Sequence, residues 1–247
     1  MNANKREFLV QTRTPGFWLL IAGIQLWFGW VFMTQLEPFQ LGQIQAANSD
    51  VLGISDTLIA PFLRVCQQSL IFLLPPLGAS LIIRDINIGL WKQLQVGQFR
   101  PWTWLHSKIV IVFLISLLMC ILALTTISWL GIFSALDWGK ISSGLIGLFF
   151  TAMVALMSGL MFASWLRQSF AASVLSIVFL QLLWIIALAV TLRGADTSIM
   201  SSLSLSAHLD GLISGMPATT DFIYFSLLIL WLYGMSIAGL FWHRGER

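Results

Sequence analysis

Charged residues are scarce in this sequence. Asp, Glu, Lys and Arg make up 9% of its 247 residues, whereas soluble domains carry roughly 25%. Hydrophobic residues make up 58%, and the mean hydropathy is +0.88. The composition therefore predicts an integral membrane protein.

Residue patterns that carry chemistry are also missing. Cysteine occurs only as Cys66 and Cys120, and neither has a metal-ligand spacing such as C-x-x-C. The absence of a phosphate-binding loop, of H-E-x-x-H and of G-x-S-x-G argues against an ATPase, zinc-peptidase or serine-hydrolase site. The apolar segments hold almost no carboxylates, which argues against a transporter coupled to protons or sodium ions. We expect no catalytic, cofactor or metal site on this chain.

Six apolar segments have the length of about 20 residues that a helix needs to cross a bilayer. They are approximately residues 17–33, 58–83, 109–133, 145–166, 171–192 and 222–242. Because backbone polar groups in lipid must be bonded internally, each segment is expected to be helical. The sequence predicts an all-α membrane protein with a single transmembrane domain over residues 1–247, and a short interfacial helix at residues 4–13 ahead of the first span.

The distribution of positive charge predicts the orientation of these helices. With the N-terminus inside, ten of the 13 Lys and Arg residues lie on the cytoplasmic side, and only Arg64, Lys140 and Arg193 lie outside. Since Lys and Arg in short loops favour the cytoplasmic side, both termini are expected inside. The charge pattern thus describes a basic inner face of a membrane protein, and no nucleic acid is expected as a partner.

Two features of the spans predict how the helices pack. The fourth segment carries Ala155, Gly159 and Ala163 at helical spacing, and such a stripe of small residues lets another helix approach closely. That helix is expected either in the same chain or in a second subunit. Pro75 and Pro76 in the second segment are expected to produce a kink, because Pro76 lacks the N–H for the bond to residue i−4.

A polar stretch, SAHLDGLISGMPATTDFIYF, precedes the last apolar segment. Apolar residues recur at every third or fourth position through residues 199–216, which predicts a helix. Gly215 and then Pro217 are expected to end that helix. We therefore predict an outer helical hairpin over residues 196–221.

His208 is the candidate chemical group of this stretch. Asp221 is one of two acids near it in the sequence, but no serine or cysteine motif offers a nucleophile for the histidine to activate. Asp221 is instead expected to cap or lead into the last span, near the positive end of the helix dipole. We interpret the stretch as a structural element at an outer gate.

The stretch LLPPLGASLIIRDINIGLWKQLQVGQFRPWTWLHSKIV, residues 73–110, carries a proline in the second span, then an arginine, a glycine and a lysine that opens the third span. These residues are Pro76, Arg84, Gly89 and Lys108. Their order resembles the pattern found in the permeases of type-2 ABC exporters, specifically in the gliding-motility-type branch. The chain departs from that family between Arg84 and Gly89, where it is shorter and has Asp85 as its only acid.

The polar stretch before the last span carries a second part of the same resemblance. The family has a histidine, a glycine seven positions later, an aspartate six positions after that, and Tyr-Phe three positions further on. His208, Gly215, Asp221, Tyr224 and Phe225 stand at these intervals. With the six predicted spans, the resemblance covers most of the chain.

The resemblance implies the membrane subunit of an ATP-driven exporter in the bacterial cytoplasmic membrane. ATP and Mg would be bound by a separate ABC ATPase subunit, and a second permease, identical or related, would complete the pathway. Residues 84–104 would lie along the inner surface as the segment that couples the permease to the ATPase. The implied contact residues are Arg84, Asp85, Ile88, Gly89, Trp91, Lys92, Leu94 and Arg100. Among them, the apolar side chains would enter a groove on the ATPase, and Lys92 and Arg100 would meet its acidic rim.

Two alternatives remain open. Residues 84–104 are also compatible with an amphipathic interfacial loop that has no partner. The whole chain is compatible with a non-transporting scaffold that anchors a surface or motility assembly, because such a scaffold would use the same six helices. The substrate of an exporter is equally open, since apolar helices with scattered Gln, Ser and Thr suit a lipid-linked, peptide or amphipathic cargo.

Overall fold

The computed structural model describes residues 15–45, 53–87, 101–129, 136–193 and 202–242. Regular structure within these ranges is helical, without strands. The helices are α1 (Pro15–Gln45), α2 (Ala60–Asn87), α3 (Pro101–Ser128), α4 (Trp138–Leu166), α5 (Ser169–Arg193), α6 (Leu205–Ile213) and α7 (Thr219–Trp242). A π-helical turn at Ser55–Ile59 leads directly into α2.

Six of these helices are long and apolar enough to cross a membrane, and α6 is the short exception. This agrees with the predicted all-α class and six spans, and it describes a multi-pass membrane protein. The helices extend beyond several of the apolar segments because hydropathy marks only the apolar part of a helix. α1 continues through Pro38 to Gln45, and α4 begins at Trp138, directly after an N-cap at Asp137. The predicted interfacial helix at residues 4–13 lies outside the described residues.

α4 is the central helix of the bundle. It packs against α2, α3, α5, α6 and α7, and its contact with α2 is the most extensive in the described structure. A Cβ atom on Gly159 of α4 would overlap the carbonyl oxygen of Pro75, and a Cβ on Gly78 of α2 would overlap that of Leu156. Both glycines are therefore required for the two backbones to approach this closely.

The stripe of small residues predicted on α4 lies in this region of the bundle. Ala155, Gly159 and Ala163 are all buried. The helix that packs against Gly159 is α2 of the same chain, so the alternative of a second subunit at this position is not needed.

Pro75 and Pro76 lie within α2, whose helical assignment continues through both of them to Asn87. Neither proline has an N–H to donate to the preceding turn. The carbonyl oxygen of Pro75 faces Gly159 of α4, so this part of α2 forms the close contact between α2 and α4. The kink at the two prolines stays a prediction.

The two ends of the bundle differ in chemistry. We call the end that carries α6 the hairpin end, and the end where α2 finishes and α3 begins the basic end. At the hairpin end, Lys140 of α4 forms an ion pair with Asp56 at 2.7 Å. At the basic end, Arg167 adopts a left-handed conformation, with φ of 53°, and separates α4 from α5.

Candidate functional site

The side chains of His208, Asp221 and Tyr224 meet at the hairpin end. His208 Nδ1 lies 2.7 Å from Asp221 Oδ1, and the imidazole stacks on the Tyr224 ring at a centroid distance of 4.2 Å. The Tyr224 hydroxyl donates to the carbonyl of Leu203 at 3.0 Å. Residues that the sequence spaces over two segments are thus brought into one cluster, which we call the histidine cluster.

Both ring nitrogens of His208 are engaged. Nε2 lies 3.0 Å from the carbonyl oxygen of Ser202, and because a carbonyl can only accept, Nε2 must donate there. Nδ1 lies against the carboxylate of Asp221 in the same way. Because both ring nitrogens face neighbouring acceptors of the hairpin, this geometry favours a structural role.

Asp221 also caps the last helix. Its Oδ2 accepts a hydrogen bond from the backbone N–H of Ala218 at 3.0 Å, just before the first residue of α7. A carboxylate in the first turn that reaches back to the preceding N–H satisfies a donor that the helix itself cannot. The expected capping role of Asp221 therefore agrees with the structure, and one carboxylate joins α6 to the start of α7.

The end of α6 is set by a left-handed residue. Gly215 has a φ of +79°, a conformation that side chains other than glycine adopt at a cost. A Cβ at Gly215 would also lie 2.7 Å from Cγ of Lys140. Residues 202–203 are helical as well, but α6 itself begins at Leu205, because Ser204 adopts an extended N-cap conformation and accepts from the N–H of Ala207. The apolar pattern did not predict this break at Ser204.

α6 covers the hairpin end of the core. Its buried face carries Leu205, Leu209 and Leu212. On its exposed face, Asp210 pairs with Arg64 of α2 at 2.6 Å. The distribution of charge placed Arg64 on the outer side but did not identify a partner for it. The ion pair of Arg64 with Asp210 connects α6 to α2. The histidine cluster connects α6 to α7.

One polar side chain lies buried below α6. Gln67 of α2 is fully buried, and neither its amide oxygen nor its amide nitrogen has a hydrogen-bond partner among the described residues. Its nitrogen lies close to the position that a Cβ of Gly147 would occupy, and Leu209 and Leu212 face the same position.

A buried ion pair lies at the basic end. Lys108 Nζ of α3 is 2.5 Å from Asp85 Oδ2 of α2, and the two side chains are 1% and 4% exposed. The indole N–H of Trp104 donates to the same carboxylate oxygen at 3.0 Å, and the ammonium lies 5.5 Å from the centroid of that ring. We call Asp85, Trp104 and Lys108 the basal cluster.

The basal cluster joins the two ends of the segment predicted to couple to an ATPase. Asp85 faces inward toward Lys108, whereas Arg84 is half-buried beside a cavity between α1 and α2. The remaining predicted contact residues lie outside the described residues. They are Ile88, Gly89, Trp91, Lys92, Leu94 and Arg100.

Sequence reasoning missed the pairing of Asp85 with Lys108. The available signal was the rarity of charge: one acid and one base stand at the two ends of the same segment in a chain with very few of either. Within the described ranges, no group of three or more His, Cys, Asp or Glu side chains is placed to hold a metal ion.

The chain was compared with protein-family models and with curated proteins. No family model matches it, and neither does a curated protein. The resemblance to the permeases of type-2 ABC exporters therefore stays a prediction from the residue pattern.

Proposed function

We propose that this chain is the transmembrane permease subunit of an ATP-driven exporter of the type-2 ABC class, similar to its gliding-motility-type branch. The observation that carries the proposal is the ion pair between Asp85 and Lys108. The pair connects the end of α2 to the start of α3, the two helices on either side of the segment that would contact the ATPase, residues 84–104.

A segment that transmits force needs a rigid connection to the helices that it moves. Removing one partner of a buried ion pair costs about 3–5 kcal/mol, because the other charge is left uncompensated. The basal cluster therefore keeps the end of α2 and the start of α3 together under load. A displacement of the segment would move both helices as a unit, and α4 would follow through its close contact with α2.

The parts of the proposed cycle are divided among subunits. A separate ABC ATPase binds ATP and Mg and moves residues 84–104 when it closes. A second permease, identical or related, supplies the other wall of the pathway. The histidine cluster and the Arg64–Asp210 pair hold the hairpin end closed in the resting state. The protein lies in the bacterial cytoplasmic membrane with both termini inside, and this chain performs no catalysis of its own.

A capture experiment tests the proposal. The full chain is tagged, solubilised from membranes and used to capture the candidate ATPase, with the wild type compared with a Trp91→Ala, Leu94→Ala double variant. We expect the wild type to retain the ATPase and the variant to lose it at unchanged membrane level. The matched control is Trp138→Ala with Met216→Ala, because these two apolar side chains are 58% and 80% exposed at the opposite end of the bundle.

Each result has a defined meaning. Loss of capture in the Trp91, Leu94 variant alone supports the coupling segment. Absence of capture by every variant, the wild type included, would favour the membrane scaffold instead. Undiminished capture in the variant would place the ATPase contact on other residues.

A further inference from the structure

A row of exposed residues runs along one side of α2. Arg64, Gln68, Phe72 and Pro76 follow one another at intervals of four residues, and all four are exposed, whereas most other side chains of α2 are buried. Residues four apart are neighbours on a helix surface, and such a row forms a ridge that can pack into the groove of another helix. We call these four residues the α2 ridge.

Gln68 places an amide deep in the apolar part of α2. The apolar segment covers residues 58–83, so at 1.5 Å per residue Gln68 lies about 15 Å along the helix from the start of that segment. Half the hydrocarbon thickness of a bilayer is also about 15 Å. The amide therefore lies near the bilayer centre, where no water is present to satisfy its hydrogen bonds.

The polar groups next to Gln68 are already paired. The indole N–H of Trp27 on α1 donates to Ser69 Oγ at 2.9 Å, and the Ser69 hydroxyl donates to a backbone carbonyl of α2 at 2.7 Å. Arg64, one turn away on the α2 ridge, pairs with Asp210 at 2.6 Å. Within the part of the chain that the structure describes, the side chain of Gln68 forms no hydrogen bond. Its amide needs a partner from outside this set.

A second copy of this chain has the chemistry to supply that partner. A glutamine amide carries both donors and an acceptor, so near a twofold axis each Gln68 can donate to the carbonyl of the other. Lipid tails offer no hydrogen-bonding group, whereas glutamine side chains bond across helices in membranes. Trp27 and Phe72 border the same groove as Gln68 and are each 45% exposed, so the same contact would cover apolar surface.

We propose that two copies of this chain associate through the α2 ridge, with the two Gln68 amides paired across a twofold axis. The inference rests on the proposed function, which requires a second permease, and it goes further by making that permease identical and by giving it a contact surface. An ATPase takes no part in this contact.

Disulfide cross-linking in membranes tests the contact. The full chain with Gln68→Cys is produced in a host that holds no partner ATPase, is oxidised with copper phenanthroline, and is analysed on non-reducing gels. We expect a cross-linked dimer as the main species, because two cysteines at the axis can come within disulfide distance. The wild type is the control for the native thiols of Cys66, which is buried, and Cys120, which is partly buried.

A second control tests whether exposure alone produces cross-links. Leu182 of α5 is 61% exposed and lies at a similar depth in its own apolar segment, residues 171–192. We expect Leu182→Cys to give little dimer, because this residue lies on a different helix from the α2 ridge.

Sedimentation of the purified full chain in detergent measures the strength of the association. We expect Gln68→Leu to raise the dimer dissociation constant roughly fivefold, which corresponds to about 1 kcal/mol for hydrogen bonding between membrane helices. Gln68→Asn keeps an amide and is expected to retain part of the affinity. Equal unfolding midpoints of wild type and Gln68→Leu, at concentrations where both are monomeric, separate lost association from misfolding.

Four results would overturn the proposal. They are a wild type that stays monomeric, equal cross-linking of Gln68→Cys and Leu182→Cys, and wild-type dimer affinity of Gln68→Leu. The fourth is rapid labelling of Gln68→Cys by a membrane-impermeant thiol reagent without cross-linking, because Gln68 would then face water. These measurements contain no ATPase, so their failure is distinguishable from a failure of the capture experiment.

Discussion

Asp85 of α2 and Lys108 of α3 form an ion pair 2.5 Å long that is almost completely removed from solvent. Trp104 contributes a hydrogen bond to the same carboxylate. Two charges are costly to bury, and their attraction offsets that cost only with good geometry and further hydrogen bonds. The pair therefore fixes the relative position of the two helices that flank residues 88–100.

Removing the cation alone should destabilise the protein strongly. We expect Lys108→Met to lower the free energy of unfolding by about 3–5 kcal/mol, because Asp85 is left buried without a counter-charge. Unfolding titrations in SDS measure the change. Arg64→Met is the matched control, since its partner Asp210 is exposed, and a surface pair of this kind contributes less than about 1 kcal/mol.

Replacing both charges should restore much of the loss. A Lys108→Met, Asp85→Leu double variant leaves no uncompensated charge, and we expect it to be more stable than Lys108→Met alone. A double variant at least as unstable as the single one would show that the hydrogen bond from Trp104 to Asp85, and not the charge balance, determines the stability of this region.

The contact between α2 and α4 should not accept a methyl group. In Gly159→Ala the new Cβ overlaps the backbone carbonyl of Pro75, which can move only if the helices separate, and we expect a loss of about 1–3 kcal/mol. The control is Gly234→Ala in α7, where a Cβ meets nothing within 4 Å and alanine is the better helix former. The same SDS titration compares them, and equal stability of the two variants would contradict the close approach.

The histidine cluster should determine the local stability of α6. Asp221→Ala removes the acceptor of both His208 and the Ala218 N–H, and leaving buried groups unpaired costs about 1–3 kcal/mol. We expect faster backbone hydrogen exchange across residues 205–213. Asp210→Ala is the control, because its carboxylate is exposed and contacts Arg64 from the outside. Similar exchange rates in both variants would argue against the cluster as the main tie.

The turn after α6 should require a residue that tolerates a positive φ. Gly215→Ala places a Cβ in the left-handed region, at a cost of about 1–2 kcal/mol, and close to the Lys140 side chain. A Lys140→Ala background removes that side-chain contact and leaves the backbone cost, so we expect only a partial recovery. Complete recovery, measured by thermal unfolding in detergent, would assign the whole effect to crowding.

The sequence determined the class of this fold because the deciding information is local. Apolar segments of bilayer length must be helical in lipid, and the part of the chain that the structure describes holds six such helices. The capping role of Asp221 and the end of α6 near Gly215 were predicted for the same reason, since a cap or a turn depends on a few neighbouring residues. Helix limits were less accurate, because polar ends such as the one at Lys140 continue a helix without changing the hydropathy pattern.

Tertiary structure alone decided which side chains face each other. The small-residue stripe identified a close contact, but only the packing shows that the helix opposite Gly159 is α2. In the same way, no periodicity relates Asp85 to Lys108, or Arg64 to Asp210, because the direction of each side chain depends on how two helices rotate against one another. Local rules constrain single helices, whereas the pairing of rare polar groups inside an apolar bundle is a property of the whole arrangement.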